Sequence, residues 1–167
     1  MKRFLSLMLL MILTLAGCSV KEEPFRECVT DTPEPPDAPA FYMEAELPAQ
    51  AILEASCDDG RCTVFSDGNY EIFEEIFPAE SAEAGLLAVT GKTAEQLSPD
   101  PVSSFPRAEY RFAWPAAGEA GPLSCTGTLL FDGDYCYALT IRCPQETAYA
   151  YRDVFSDILS HVTLNEV

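Results

Sequence analysis

A strict alternation of apolar and polar residues begins at Phe41 and predicts a β-strand. Apolar residues occupy every second position from Phe41 to Leu47, with tyrosine and glutamate between them, so one face of the strand is apolar. Pro48 ends the run. Six later segments show strand patterns bounded by turn residues: Ala51 to Cys57, Cys62 to Phe65, Asn69 to Phe73, Glu109 to Trp114, Leu123 to Phe131 and Tyr135 to Cys143.

Two short acidic turns predict hairpins between successive strands. Asp67-Gly68 is a two-residue hairpin signal, and Asp132-Gly133-Asp134 separates the last two of the six segments. Matching the apolar faces of those two strands places Phe131 opposite Tyr135. The strands are therefore expected to pair in an antiparallel manner.

Helix signals lie between and after these strands. Ser81 precedes the first helix and Gly91 follows it, as N-cap and stop residues do. The three predicted helices are Ala82 to Val89, a short helix opened by the capping box Thr93-Ala94-Glu95-Gln96, and about Gln145 to Ser160. A terminal strand, His161 to Leu164, could close the sheet. The fold class is therefore α+β, a mainly antiparallel β-sheet with a long C-terminal helix and a shorter central helical segment packed on it.

The first 17 residues have the organisation of a secretion signal. Lys2 and Arg3 precede an apolar run, Phe4 to Leu15, which is shorter than the roughly 20 residues of a membrane-spanning helix. The sequence that follows, Leu15-Ala16-Gly17-Cys18, resembles the lipobox of bacterial lipoproteins. That resemblance implies that Cys18 receives a lipid anchor and that the chain is cleaved before it.

The composition changes again around residue 40. Residues 19–40 contain five prolines, many acidic residues and few apolar ones, which is typical of an extended tether. We therefore expect three parts: a signal peptide at 1–17, the lipidated Cys18 with its tether at 18–40, and one domain at 41–167. At about 3.1 Å per residue, the tether reaches at most roughly 70 Å from the membrane.

The charge of the chain is strongly negative, with 27 acidic and 10 basic residues and a net charge of −17. Removal of residues 1–17 takes two basic residues and no acidic one, which leaves −19. Such a surface repels nucleic acid and anionic lipid headgroups, so attachment to the membrane has to come from the lipid. The charge is explained either by solubility alone or by docking of a basic protein partner.

An even number of further cysteines in an exported chain predicts disulfides. They are Cys28, Cys57, Cys62, Cys125, Cys136 and Cys143. Cys57 and Cys62 face each other across a four-residue loop and are expected to pair. The expected register puts Cys125 and Cys143 diagonally on one face, at about 7–8 Å, and leaves Cys136 on the other face for Cys28. The connectivity of these four stays open, and a zinc site is disfavoured because the chain has one histidine.

Few residues carry recognisable chemistry. The single histidine, His161, is next to Ser160 and near Asp157, but neighbouring side chains usually diverge and do not form a catalytic triad. Glu44 and Glu46 lie two apart on a strand and point outward together. They could act as paired carboxylates of a glycoside hydrolase, although a solvated strand face that binds a partner explains them as well.

Two other patterns have an ordinary structural explanation beside a functional one. The acidic turns at 58–60, 67–69 and 132–134 offer oxygen ligands to calcium, yet these are also common turn residues. Tyr110, Phe112 and Trp114 share one strand face and could form a ligand shelf, but aromatic residues at period two more often belong to a core. No metal and no cofactor is expected.

The order of these patterns is similar to that of PsbP-like proteins over about residues 41–165. The similarity lies in the β-rich start, a helix that ends in Val89-Thr90-Gly91, and a last helix that continues into the segment Phe155-Ser-Asp-Ile-Leu-Ser-His-Val-Thr-Leu164. The hairpin between them has the form Cys-x-Gly-x-Leu-x-Phe-Asp-Gly-Asp-Tyr-x-Tyr-x-Leu-x-Ile. The resemblance implies an antiparallel sheet flanked by helices and a binding or accessory role. It transfers no functional residue.

These observations lead to one functional expectation with two alternatives. We expect an extracytoplasmic lipoprotein, held at the cell membrane by its lipid, that acts as a non-catalytic binding or envelope-accessory module. The alternatives are a small-ligand carrier with a pocket between sheet and helix, and a carboxylate-dependent hydrolase. A dry apolar cleft would favour the carrier, and a deep polar pocket with perturbed pKa values would favour the enzyme.

Overall fold

The structure of the chain is a computed structural model that describes residues 38–57, 61–102 and 108–167. All of these residues belong to one structural unit, Glu34–Val167. Their strands form one seven-stranded sheet and one two-stranded sheet, and every strand pair is antiparallel. None of the helices in these ranges is long and apolar enough to cross a membrane.

The described ranges contain nine strands and three helices. The strands are β1 (Phe41–Glu44), β2 (Ile52–Ser56), β3 (Cys62–Ser66), β4 (Glu71–Pro78), β5 (Asp100–Val102), β6 (Ala108–Gly118), β7 (Gly121–Phe131), β8 (Tyr135–Pro144) and β9 (Thr163–Glu166). The helices are α1 (Ala82–Thr90), α2 (Ala94–Leu97) and α3 (Ala148–Ser160). The expected α+β class, with a mainly antiparallel sheet and a C-terminal helix, is confirmed.

The order of the large sheet is β2–β3–β4–β8–β7–β6–β5. The long strands β4, β8 and β7 therefore lie in the middle, and β2 and β5 form the two edges. β8 is the most deeply buried, since every residue from Tyr135 to Ile141 is buried. A strand that is covered on both faces is apolar on both faces.

Helix α3 covers one face of the large sheet. Its side chains Phe155, Ile158 and Leu159 are buried against this face. The other buried side chains of this cluster are Tyr70, in the turn before β4, and Ile72, Leu139, Ile141 and Cys143 of the sheet. This packing is the main reason why α3 is held on the sheet, because burial of apolar area is the dominant favourable term in folding.

The opposite face of the sheet carries α1 and α2. Ala82 and Leu86 of α1 and Leu97 of α2 are buried there. The buried sheet residues of this second cluster are Phe112, Trp114, Cys125, Leu129, Cys136 and Ala138. The sheet is thus packed between helices on two sides, with a separate apolar core on each face.

Strands β1 and β9 form the two-stranded sheet. Phe41, Met43, Val162 and Leu164 pack against a third buried cluster, made by Leu130, Tyr135 and Tyr137 of the large sheet. The predicted terminal strand exists, but it pairs with β1 and does not close the large sheet. The alternation from Phe41 is confirmed, because Phe41 and Met43 are half-buried and their neighbours are exposed.

The helix ends follow the local sequence signals. The Ser81 hydroxyl accepts a hydrogen bond from the Ala84 N–H at 3.1 Å, and Gly91 ends α1 with φ of +68°. The Thr93 capping box is present in both directions, since the Thr93 N–H donates to Gln96 Oε1 and the Gln96 N–H donates to Thr93 Oγ1. These termini were predictable because each depends on residues within a few positions.

The predicted register of the β7–β8 hairpin is wrong by one residue. Phe131 pairs with Cys136, and the Asp132 N–H donates to the Tyr135 carbonyl at 3.2 Å. The turn therefore has two central residues, Gly133 and Asp134, where three loop residues were expected. Gly133 has a φ of +116°, which a glycine adopts without strain.

Candidate functional site

The register decides where the cysteines of the hairpin lie. Cys125 is opposite Arg142, and Cys143 is opposite Ser124. Because side chains of adjacent residues point to opposite faces, Cys125 and Cys143 lie on different faces of the sheet. The expectation that they share a face is wrong, and a disulfide between them does not fit this register. Cys136 instead shares the face of Cys125.

The thiol of Cys136 is enclosed under α1. It is 0% exposed, and its Sγ lies 4.0 Å from the Ser81 carbonyl oxygen. Burial raises the pKa of this thiol to about 12, so it stays protonated and is a poor nucleophile. Pairing with Cys28 would require α1 to move away. Cys28 and the anchor residue Cys18 lie outside the described residues.

The Cys57–Cys62 disulfide stays a prediction. The two residues lie at the facing ends of β2 and β3, where the Cys57 N–H donates to the Cys62 carbonyl at 2.8 Å. The loop between them, at 58–60, is outside the described residues. The structure therefore brings the two backbones together as the sequence predicts, without testing the sulfur–sulfur bond.

Glu44 and Glu46 are both exposed, as the strand alternation predicts. Glu44 lies on β1, and its Oε2 accepts a hydrogen bond from Asn165 Nδ2 on β9 at 2.9 Å. Glu46 follows the end of β1. The pair thus belongs to a solvated surface, and the carboxylates are not enclosed in a cleft.

His161, Ser160 and Asp157 do come together at the end of α3. His161 Nδ1 lies 2.9 Å from the Asp157 carbonyl oxygen and 3.3 Å from Ser160 Oγ. In a catalytic triad, the serine and the carboxylate contact opposite nitrogens of the imidazole. Here Ser160 Oγ and the Asp157 carboxylate oxygen Oδ1, the latter at 3.6 Å, both lie next to Nδ1, and the side chains are exposed at a helix terminus. This arrangement caps the helix and does not activate the serine.

The acidic turns use their carboxylates to hold their own backbone. Asp67 Oδ1 accepts hydrogen bonds from the Asn69 and Tyr70 N–H groups at 2.8 and 3.1 Å. Asp132 Oδ1 accepts hydrogen bonds from the Asp134 and Tyr135 N–H groups at 2.9 and 2.7 Å, and Asp132 Oδ2 accepts one from the Tyr137 hydroxyl at 2.8 Å. Both are turn interactions. Among the described residues, no group of three or more His, Cys, Asp or Glu side chains could hold a metal ion. The third turn, at 58–60, lies outside them.

The aromatic row of β6, formed by Tyr110, Phe112 and Trp114, is part of the core. Phe112 and Trp114 are 5% and 6% exposed, and their rings stack with centroids 5.5 Å apart. Phe112 also lies close to Gly127, where a Cβ atom would meet its ring at 3.2 Å. Phe112 and Trp114 therefore belong to the core, as the ordinary explanation predicted, although Trp114 also lines the small cavity described next.

A small cavity of about 280 Å³ lies beside this row. The residues that line it are Ala113, Trp114, Pro115, Leu123, Ser124, Cys125 and Gln145. It is open to solvent, mostly apolar, and slightly smaller than typical ligand pockets, which have roughly 300–1,000 Å³. No residue of α3 lines it. The expected carrier pocket between the sheet and the C-terminal helix coincides instead with the buried cluster under α3.

Perturbed pKa values in the described residues follow burial and do not converge on a cleft. Burial raises the pKa of the half-buried Glu74 carboxyl and of the Tyr70 hydroxyl, which lies in the cluster under α3. It also raises the pKa of the Cys125 and Cys143 thiols. Of these groups, Cys125 alone lines the cavity. Burial of a group that is neutral in its protonated form accounts for each shift.

The exposed surface of strand β2 was not predicted from the sequence. All five residues of β2 are exposed, and Ile52 and Leu53 are 70% and 56% exposed. Single exposed apolar residues are common, but β2 is also an edge of the large sheet. The position of a strand in a sheet depends on all the other strands, so no local pattern reveals it.

Comparison with known proteins shows which fold the domain has, but it does not assign the chain to a family. No family model matches the chain, and no curated protein matches it. Among solved structures, LpqN of Mycobacterium tuberculosis, described as involved in cell envelope biogenesis, aligns with a TM-score of 0.53 at 9% identity. That alignment covers 77% of this chain and 87% of LpqN.

Two further structures align at similar levels. The cyanobacterial PsbP of Synechocystis sp. PCC 6803 has a TM-score of 0.54 at 8% identity, over 75% of this chain and 93% of its own. A protein of Bacteroides thetaiotaomicron has a TM-score of 0.50 at 8% identity, over 74% of this chain and 45% of its own. At such identities the likeness concerns the fold alone, and the domain has a PsbP-like fold.

Proposed function

We propose that this chain is an extracytoplasmic lipoprotein, anchored through Cys18, whose domain is a non-catalytic accessory module that binds a basic protein partner. The fold is similar to that of LpqN, which is described as involved in cell envelope biogenesis, and to that of cyanobacterial PsbP, and this similarity supports an accessory role outside the cytoplasm. The signal-like residues 1–17 and the lipobox-like Cys18 support the anchor. Stable anchoring needs two or more acyl chains, as a lipidated N-terminal cysteine provides.

The distribution of charge carries the binding proposal. Residues 44–80 contain ten acidic residues and a single basic one, Arg61, which is a net charge of −9 in 37 residues. Among them, Glu44, Glu46 and Glu54 are exposed. A concentrated field of one sign attracts partners of opposite charge and speeds their association. In the described residues, apolar side chains pack on both faces of the sheet, beside the open cavity at β6 described above.

The anchor is tested by replacing the thiol. In Cys18→Ala, we expect the protein to leave the membrane fraction and to lose the mass of its lipid, because alanine cannot be alkylated. Cell fractionation and intact-mass spectrometry measure both effects. Ser19→Ala leaves the thiol in place and should behave as wild type. If wild type and Cys18→Ala fractionate alike and neither carries lipid, the anchor proposal is wrong.

The binding role is tested by neutralising exposed carboxylates. Glu44→Gln with Glu46→Gln should weaken binding of a lysine octapeptide about fivefold, since each exposed charge contributes about 0.5 kcal/mol. Binding should also weaken as salt rises from about 0.1 M to 1 M, where the Debye length falls from about 10 Å to about 3 Å. Fluorescence anisotropy of the labelled peptide measures the affinity.

A matched variant controls for net charge. Glu95→Gln with Glu119→Gln makes the same change at two exposed positions elsewhere and should leave peptide affinity nearly unchanged. Neither double variant should alter the free energy of unfolding by more than about 0.5 kcal/mol. The same proteins should be assayed with ester, glycoside and peptide substrates. Turnover that disappears in Glu44→Gln with Glu46→Gln would overturn the binding role in favour of a hydrolase.

A further inference from the structure

Within the part of the chain that the structure describes, the outer edge of β2 has no strand paired to it. β2 pairs with β3 on one side, and no described residue pairs with its other side. The Cys57 N–H donates inward, to β3. Because backbone groups alternate between the two sides of a strand, the N–H and carbonyl of Ser56 point outward. An edge of this kind is a template for pairing with another extended segment.

The two edges of the large sheet differ in how they are protected. The other edge, β5, has three residues, and one of them is Pro101, which has no N–H to donate. β2 has no proline and one charged residue, Glu54, and it exposes Ile52 and Leu53. Exposed apolar side chains give an added strand contacts on both faces of the sheet. β2 is therefore the edge that can accept a strand.

The shape and charge of this edge select the kind of partner. A bulge between Leu53 and Ala55 shifts the register against β3, and a bulge twists an edge away from long, flat pairing. Two copies paired along β2 would also bring together two regions, residues 44–80, of net charge −9 each. Both features disfavour a second copy of this chain and favour a short segment that carries positive charge.

We propose that β2 is a docking strand, onto which a basic partner adds a short extended segment with alternating cationic and apolar side chains. This inference rests on the proposed function, a module for a basic partner, and adds where and how that partner binds. Backbone hydrogen bonds to the Ser56 end of β2 provide the geometry, and Ile52 and Leu53 provide apolar contacts. The exposed Glu54 carboxylate on the strand and the negative charge of residues 44–80 provide the attraction. Strand addition of this kind is a recurring mode of peptide recognition.

The experiment uses the full chain and a capped peptide of alternating lysine and valine. On binding, amide hydrogen exchange of Ser56 should slow at least about tenfold, because its outward N–H becomes hydrogen bonded. Ser56→Pro, which removes this N–H and places a ring on the edge, should weaken peptide affinity about tenfold. Ser56→Ala retains the N–H, so its peptide affinity should stay at least about fivefold higher than that of Ser56→Pro. Nuclear magnetic resonance measures the exchange, and fluorescence anisotropy measures the affinity.

A second probe keeps the test decisive if Ser56→Pro does not fold, which near-ultraviolet circular dichroism would show. The same peptide with every backbone nitrogen methylated keeps its charge and side chains but has no backbone N–H donors, and it should bind the wild-type chain at least about tenfold more weakly. Equal binding of both peptides, without protection of Ser56, would overturn the docking strand and leave the charge-driven function intact. Absence of binding of the unmethylated peptide even at low salt would overturn both.

Discussion

Replacing Phe155 with alanine is expected to lower the free energy of unfolding by about 3–5 kcal/mol, the range for a buried aromatic side chain. Phe155 lies on α3 and is 6% exposed. Its ring packs edge-on against the ring of Tyr70, with the centroids 5.1 Å apart, and stacks with the ring of Tyr151, with the centroids 6.0 Å apart. The substitution removes the ring that joins helix to sheet in this cluster, so the loss includes both apolar burial and a cavity. A whole domain is stable by only about 5–15 kcal/mol.

Urea denaturation followed by circular dichroism measures the change. Tyr149→Ala is the matched control, because it is also an aromatic-to-alanine change on α3, at a side chain that is 76% exposed. It should shift the free energy of unfolding by no more than about 0.5 kcal/mol. A loss at Phe155 no greater than that at Tyr149 would mean that α3 does not pack on the sheet as described.

Features that depend on a few neighbouring residues were predictable from the sequence. Ser81, Gly91 and the Thr93 box mark helix ends through contacts within about four positions, and each contact is present. The start of α3 is the exception, because it begins at Ala148 and not near Gln145. The Thr147 hydroxyl donates to the Pro144 carbonyl at 3.0 Å and does not cap the helix. The residues before Ala148 are held as a turn by this bond.

The register of the central hairpin was not predictable from apolar faces. β7 and β8 lie in the middle of a sheet that is covered on both sides, so each strand has apolar residues on both faces. The alternation of apolar and polar residues then cannot show which side chains of the two strands share a face. The turn decides, since Asp132 holds a two-residue loop through its own carboxylate. The resulting shift of the register by one residue places Cys125 and Cys143 on opposite faces of the sheet.

The candidate surface shows the same limit. The outward pair Glu44 and Glu46 was predictable, because exposure on a two-faced strand follows from alternation. The edge position of β2 was not, because it depends on where β4 and β8 pair, about 70 residues apart in the chain. Local sequence patterns can therefore locate each strand along the chain without determining the order of the strands in the sheet.

Gly85→Ala is expected to lower the free energy of unfolding by about 1–3 kcal/mol, although alanine is the better helix former. Gly85 lies on α1 where the helix crosses β8, and a Cβ atom there would overlap Cys136 Sγ. It would also meet Leu129 Cδ1 at 3.1 Å. Both neighbours are 0% exposed and cannot move into solvent. The helix would have to rise from the sheet, which would loosen the second core.

A double variant separates this overlap from other causes. Cys136→Ala alone should destabilise by about 1 kcal/mol through a small cavity. Combined with Gly85→Ala, it makes room for the new methyl group, so the double variant should be more stable than the sum of the singles by at least about 1 kcal/mol. Ala88→Gly, at an exposed position of the same helix, measures the intrinsic difference between glycine and alanine. Strict additivity of the two substitutions would show that Gly85 and Cys136 are not in contact, and that α1 does not seal the Cys136 thiol from a second cysteine.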